Sequence, residues 1–209
     1  IDKRNMGVEM GIEFKLGSMF TLALAGTYGD YIYTNRPNVT ITADNGYDVL
    51  GNGQSQYTEQ VYWKNFHVAG SPQLAGTIGL KFNYKYWFVN ISANYFDKIY
   101  ADMNPERRTS AARGTLSTSS EIYQQMIAQE RLKGQFTMDA SIGKSWKIHR
   151  NTIGFNLSVT NLTNNKNLVT SAWEQRRFDY NEYNVNKFPN KYYYALGTTF
   201  YLGINYTFN

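Results

Sequence analysis

The chain has 209 residues, a formal net charge of +5 and no cysteine. The lack of cysteine excludes a disulfide framework and any thiolate metal site, and no apolar run approaches the roughly 20 residues of a membrane helix. The basic excess would suit nucleic acid, but no recognition-helix or stacking-sheet signature accompanies it, so no nucleic-acid partner is predicted.

Seven segments alternate between apolar and polar residues with a period of two, which predicts β-strands with two different faces. In chain order they are residues 8–16, 20–27, 73–82, 87–96, 135–142, 153–160 and 194–209. These strands of about 10 to 15 residues are longer than the roughly 5 or 6 typical of soluble sheets. The fold class predicted is therefore all-β.

The connections between these strands alternate in length. Tight turns are predicted at residues 17–18, 83–85 and 148–151, and long polar loops at residues 34–65, 102–133 and 163–191. Aromatic residues gather near both kinds of connection. Those near the turns are Phe14, Phe20, Phe82, Trp87, Trp146 and Tyr206, and those near the loops are Tyr28, Tyr31, Tyr33, Tyr95, Tyr100 and Tyr192.

A soluble β-sandwich would also show alternating strands. Long strands, turns and loops on opposite sides and two aromatic girdles favour a transmembrane antiparallel β-barrel, which must close because lipid cannot pair backbone N–H and C=O groups. Such barrels place tight turns in the periplasm and long loops outside the cell, so the C-terminus is expected in the periplasm. Counting back, the first strand starts outside, and seven strands cannot close alone. We therefore expect the sequence, which starts at Ile1 without a signal peptide, to be the C-terminal third of a larger barrel.

Three stretches and the C-terminus carry a resemblance to one family. The stretches are "VYWKNFHVAGSPQLAGTIGL" (61–80), "NYFDKIYADMNPERRT" (94–109) and "SVTNLTNNKN" (158–167). Phe208, preceded by alternating residues that include Tyr206, resembles the insertion signal that barrel-assembly machinery recognises, although Asn209 follows it. Together they resemble the TonB-dependent outer-membrane receptors of Bacteroidetes related to SusC.

The resemblance implies a 22-strand barrel, of which this chain supplies the last seven strands, occluded by an N-terminal plug. It implies import of an oligosaccharide, oligopeptide or similar large solute, driven through TonB by the N-terminal part that this sequence lacks. A SusD-like surface lipoprotein is a further expected partner, beside outer-membrane lipid. The alternative is a surface-exposed barrel that serves as an assembly platform in a multi-protein complex without active transport. A plug with a TonB box upstream would favour import.

No catalytic or metal site is predicted. His67 and His149 are the only histidines, and no nucleophile arrangement or metal-ligand spacing includes them. The chain is therefore expected not to be an enzyme and to need no cofactor. Glu9, Glu13 and Asp139 lie on the lumen parity, where they would line a substrate path, contact the plug or pair with neighbours across the barrel.

The long loops contain the candidate binding residues. "WEQRRFDYNEYN" (173–184) combines aromatic faces with guanidinium groups, which would suit a glycan or a peptide, or a self-packed loop. Its candidates are Trp173, Arg176, Arg177, Phe178 and Tyr180. Arg107 and Arg108 are interpreted as an exposed charge pair that either binds lipopolysaccharide phosphates or acidic substrate, or binds nothing.

One loop contains a predicted helix. Thr118 to Glu121 fits a capping box, and "EIYQQMIAQERL" (121–132) follows with helical spacing. This predicts a short surface helix over the pore mouth.

Overall fold

Long antiparallel strands dominate the chain, as its alternating sequence predicts. A computed structural model describes residues 1–42 and 55–208. Its strands are, in chain order, β1 (Lys3–Leu16), β2 (Phe20–Tyr33), β3 (Asn38–Thr42), β4 (Gln56–Gln60), β5 (Leu74–Tyr84), β6 (Trp87–Asp97), β7 (Gln135–Ile148), β8 (Asn151–Thr160), β9 (Val169–Trp173), β10 (Lys191–Tyr194) and β11 (Thr199–Thr207). A 3-10 helix (Glu106–Arg108) and the helices α1 (Ser110–Arg113) and α2 (Glu121–Ile127) lie between β6 and β7. Across these described residues, no helix has the length and apolar character needed to cross a membrane.

Seven strands form one antiparallel sheet in the order β1-β2-β5-β6-β7-β8-β11. They correspond to the seven predicted segments, so the all-β prediction is confirmed. Within the part of the chain that the structure describes, β1 and β11 each pair on one side only, and the sheet is open.

The register of the sheet places most polar positions on one face and most large apolar positions on the other, with exceptions such as Phe88 on the polar face and Lys144 on the apolar face. One row across five strands joins Glu13, Ala23, Gly79, Ser92 and Asp139. The neighbouring row contains Ile12, Leu24, Ile78, Ala93 and Met138. Directly opposed residues point to the same side of a sheet, so these rows define a polar face and an apolar face.

The apolar face is open to solvent along its length. Val8, Phe200 and Ile204 are each more than 70% exposed. A sandwich would bury such residues under a second sheet, but the only other sheets in the described residues are the two-stranded β3–β4 and β9–β10.

Three short turns connect neighbouring strands at one end of the sheet, as predicted. They occupy residues 17–19, 85–86 and 149–150. Lys85 and Tyr86 both have positive φ angles, 44° and 67°. Two such residues in a two-residue loop match the right-handed twist of the flanking strands, which explains why the chain reverses so tightly there.

The three long connections lie at the opposite end of the sheet, and their described residues pack together into what we call the loop layer (residues 34–42, 55–73, 98–134 and 161–198). The hydrophobic core lies here rather than against the sheet. One buried cluster contains Ala101, Leu132 and Ala172, and another contains Tyr123, Met126 and Phe178. Part of the predicted loop 34–65, residues 43–54, lies outside the described residues.

Several predicted boundaries differ from those observed, and two of them are wrong for an identifiable reason. The closing strand starts at Thr199 rather than at residue 194, because Tyr194 belongs to β10 and pairs with Val169. The predicted 12-residue helix ends at Ile127, and its N-cap is Ser120, whose hydroxyl accepts a hydrogen bond from the backbone N–H of Tyr123 at 3.3 Å. The capping box that starts at Thr118 is therefore shifted by two residues.

Candidate functional site

The polar face of the sheet contains the three predicted lumen carboxylates. Glu13 pairs with Lys81 at 2.5 Å. Asp139 accepts hydrogen bonds from Asn94 Nδ2 and from the backbone N–H of Asn161, both at 2.9 Å. Glu9 is exposed and lines an open concavity of about 590 Å³ on the sheet. Two of the three carboxylates thus pair with neighbouring groups, which leaves Glu9 as the carboxylate most available to a solute.

Asn161, from the stretch "SVTNLTNNKN", holds the upper ends of β8 and β11 together. It is buried and has a positive φ of 52°, a conformation that asparagine tolerates better than most residues. Its Oδ1 accepts from the backbone N–H of Asn165 at 3.0 Å, and its carbonyl oxygen accepts from the Thr198 hydroxyl at 2.8 Å. The motif therefore has a structural role at the point where β11 starts.

Arg108 lies at the centre of the loop layer, although its sequence context predicts an exposed side chain. That expectation is wrong, because Arg108 is 1% exposed. Its guanidinium forms a two-pronged pair with Glu174, with Nη1–Oε2 at 2.6 Å and Nη2–Oε1 at 2.7 Å. Its remaining hydrogen bonds go to the carbonyl oxygens of Asn104, Ile127 and Ala128. Three sequence-distant segments are joined at this one side chain.

Arg107 is buried as well, so its expected exposure is also wrong. Its Nη2 donates to the carbonyl oxygen of Met126 at 2.7 Å, and its guanidinium lies 4.7 Å from the ring centroid of Phe178. Burial lowers the pKa of Arg107, and the nearby charge of Glu174 opposes that shift. Both arginines donate to the last carbonyls of α2, where positive charge is favourable. This contact gives a physical reason for the end of α2 at Ile127.

The candidates in residues 173–184 divide into packed and exposed side chains. Trp173 is half-buried against Tyr193, with ring centroids 4.9 Å apart. Phe178 is buried in the cluster with α2, and the half-buried Tyr180 contacts it edge-on at 5.1 Å. Arg176 and Arg177 are exposed. The aromatic members thus pack mainly within the loop layer, and the two arginines face solvent.

His67 is held within the loop layer. Its ring stacks on Tyr100 with centroids 3.9 Å apart, and Gln73 Nε2 lies 3.2 Å from its Nδ1. Gln129 hydrogen-bonds both the backbone N–H and the carbonyl oxygen of His67, each at 2.9 Å. Burial lowers the pKa of His67, which keeps the ring neutral near pH 7. His149 lies in the tight turn between β7 and β8, at the opposite end of the sheet.

The aromatic residues near the short turns all lie on the apolar face, as the register shows for Phe14, Phe20, Phe82, Trp87, Trp146 and Tyr206. Lys144 Nζ lies 4.5 Å from the ring centroid of Trp87. The girdle predicted near the loops is only partly correct. Tyr28 and Tyr95 are on the apolar face, whereas Tyr31 and Tyr33 are on the polar face.

The predicted insertion signal lies at the end of the sheet where the short turns are. Tyr206 accepts a hydrogen bond from Asn151 Nδ2 at 2.8 Å, and its ring contacts Phe208 edge-on at 4.6 Å. Phe208 is 79% exposed. Asn209 lies outside the described residues.

No local sequence pattern points to Glu174 or Glu106 as residues of interest. Glu174 pairs with Arg108 across 66 residues of chain, and no local pattern signals such a pairing. Glu106 lines a small cavity in the loop layer.

No protein-family model matches this chain, and a search of curated proteins finds no match either.

Proposed function

We propose that this chain is the C-terminal barrel portion of a TonB-dependent, SusC-like importer in the bacterial outer membrane. It would belong to a 22-strand barrel that admits an oligosaccharide, an oligopeptide or a similar large solute. The observation that carries the proposal is the seven-stranded sheet. Within the described residues its apolar face is continuous and is not covered by a second layer, and its long connections all lie at one end of the strands.

The exposed apolar face supports a lipid environment. Monomeric soluble proteins rarely expose contiguous apolar patches larger than a few hundred Å², and burying apolar surface contributes about 25 cal/mol per Å². Lipid removes that surface from water without a second protein layer. The strands of the sheet have 9 to 14 residues, which meets the roughly 9 to 11 that a tilted transmembrane strand needs.

The opposite face supports a water-filled interior. Glu9, Glu13 and Asp139 would line it, and the loop layer would lie at the extracellular mouth with Arg176 and Arg177 exposed to solute. TonB would act through a plug outside this sequence, and a SusD-like lipoprotein would cover the loop layer.

Cysteine labelling on intact cells tests the orientation. In the full-length protein, cysteines that replace Ser55, Ser117 and Ser171, all exposed in the loop layer or the hairpin β3–β4, should react with a membrane-impermeant thiol reagent. Cysteines that replace Ser18 and Lys85 in the short turns should react only after the outer membrane is permeabilised. The reverse pattern would invert the topology and refute the proposal.

Uptake separates import from the platform alternative. Cells with the full-length protein should accumulate labelled oligopeptides or oligosaccharides faster than cells without it, and the difference should vanish when TonB is deleted. Surface labelling as expected, together with no TonB-dependent uptake of either solute class, would favour the assembly platform.

A further inference from the structure

The loop layer contains a cavity of about 180 Å³ that has no role in the function proposed above. It lies between β4, the 3-10 helix and the segment that follows β9, and its polar lining includes Tyr57, Glu106, Tyr180 and Tyr183. At roughly 30 Å³ per water molecule, this volume equals about six waters. The cavity therefore suits the head of one side chain rather than an oligosaccharide.

Two polar groups of the cavity wall lack partners. Within residues 1–42 and 55–208, the buried hydroxyl of Tyr180 has no hydrogen-bond partner. The Glu106 carboxylate, in the same part of the chain, forms no ion pair within 4.0 Å and accepts no hydrogen bond, although Glu106 is half-buried. A buried polar group without a partner, such as the Tyr180 hydroxyl, is costly and uncommon in folded proteins. The Glu106 side chain is half-buried, so its carboxylate oxygens are available to a ligand that enters the cavity.

Two other carboxylates of the loop layer, Glu174 and Glu130, have partners on both oxygens, unlike Glu106. Glu174 pairs with Arg108, and Glu130 accepts from Asn190 and Tyr192. Glu59, on β4, accepts from the Ser110 hydroxyl and the Ala111 N–H through its Oε1, while its Oε2 is buried without a partner.

Burial and two neighbouring charges act on the pKa of Glu106. Burial raises the pKa of Glu106, the positive charge of Arg176 lowers it, and the negative charge of Glu59 raises it further. The ionised carboxylate is therefore short of positive charge inside its cavity. An incoming cation would relieve that deficit, whereas a neutral hydroxylated ligand would leave it in place.

We infer that this cavity binds an organic cation with N–H donors, an alkylammonium or guanidinium group of the kind found on lysine and arginine side chains. The Glu106 carboxylate accepts the N–H donors. The Tyr180 hydroxyl supplies a second acceptor, and the tyrosine ring faces attract the positive charge. This inference concerns the loop layer alone and does not depend on TonB-driven import, although for an importer it favours basic peptides over neutral glycans.

Two matched small molecules test the charge requirement. Calorimetric titration of the purified full-length protein would compare N-acetyl-lysine amide with N-acetyl-norleucine amide, which has a similar chain without the ammonium group. Because a hydrogen bond to a charged group is stronger than a neutral one, we expect the lysine probe to bind about tenfold tighter or more.

Three variants test the residues. Glu106→Gln keeps the shape of the side chain and should weaken the lysine probe by about tenfold or more, because it removes the charge. Tyr180→Phe removes a hydroxyl without breaking any hydrogen bond in the described structure and should weaken binding by a smaller factor. Glu121→Gln removes an exposed carboxylate of α2 that does not line the cavity, and it should bind as the parent protein does.

Four results would overturn the inference: equal affinity for the two probes, no binding of the lysine probe at 10 mM or so, unchanged affinity in both Glu106→Gln and Tyr180→Phe, or tighter binding of a neutral monosaccharide than of the lysine probe. The intact loop layer is checked by its trypsin cleavage pattern, so loss of binding through unfolding is distinguished from loss of the cavity's charge.

Discussion

The pair between Arg108 and Glu174 should control whether the loop layer stays closed. Glu174→Gln keeps the shape and one acceptor oxygen but leaves the charge of Arg108, and that of Arg107 at 3.5 Å, buried without a counter-charge. The two side chains are only 0% and 2% exposed. Removing one partner of such a buried pair costs about 3 to 5 kcal/mol, and we expect the lower value because the glutamine oxygen still accepts a hydrogen bond.

Local opening of the loop layer is the quantity to measure. A loss of about 3 kcal/mol raises the open population about 100-fold, since every 1.4 kcal/mol is a factor of ten. When opening and closing are fast, the rate of proteolysis follows that population. Trypsin cleavage within residues 98–134 and 161–198 of the full-length protein should therefore accelerate by about two orders of magnitude.

Two further variants make this prediction refutable. Glu182→Gln removes an exposed carboxylate from the same connection and should leave the cleavage rate within a few-fold of the parent. Adding Arg108→Met to Glu174→Gln removes the more closely paired of the two arginine charges and should recover part of the lost protection. If Glu174→Gln is cleaved no faster than Glu182→Gln, the pair does not stabilise the closed loop layer.

Three other perturbations test the faces, the pH response and the C-terminus. Leu22→Arg, on the apolar face, should cost about 2 to 4 kcal/mol near a bilayer midplane and reduce the amount of the heat-modifiable band in outer-membrane fractions. Thr21→Arg, on the polar face, should be tolerated. Equal loss of folded protein in both variants would argue for a sheet that is buried on both faces. Burial and its hydrogen bond to Glu130 raise the pKa of Tyr192 to about 12, so the contact is fully present below the ordinary pKa of about 10 and is lost as pH rises towards about 12. Hydrogen exchange in β10 should show increased opening over that range, an increase that Tyr192→Phe abolishes, and an identical response in that variant would contradict the assignment. Deleting residues 206–209 from the full-length protein should abolish assembly, and normal levels of folded protein would show that the aromatic C-terminus is not the insertion signal.

The sheet was predictable because its information is local. Each strand shows its two faces through its own alternation, and the register then joins like faces, as the row from Ile12 to Met138 shows. The short turns follow from the same pattern. Within this sheet only strand ends were misplaced, as at the start of β11. There the backbone N–H of Thr198 donates to Asn164 Oδ1, and its hydroxyl donates to the carbonyl oxygen of Asn161.

The loop layer was not predictable in the same way, because its contacts join residues far apart in sequence. Charge alone suggested that Arg107 and Arg108 would be exposed, yet both are buried, where they pair with Glu174 and donate to carbonyl oxygens at the end of α2. Nothing in the local sequence indicates a partner 66 residues away. The division between packed Phe178 and exposed Arg176 likewise depends on where α2 lies.

This contrast reflects two different sources of stability in one chain. The loop layer contains buried clusters and a satisfied ion pair, which is how a water-soluble domain is stabilised. The sheet has backbone pairing but leaves residues such as Phe200 and Ile204 more than 70% exposed. Backbone pairing does not remove apolar side chains from water, so the sheet is stable only where its apolar face meets an apolar environment. In the proposed barrel, a lipid bilayer would cover the apolar face and a polar lumen would border the other face, and the alternation along each strand is what those two environments require.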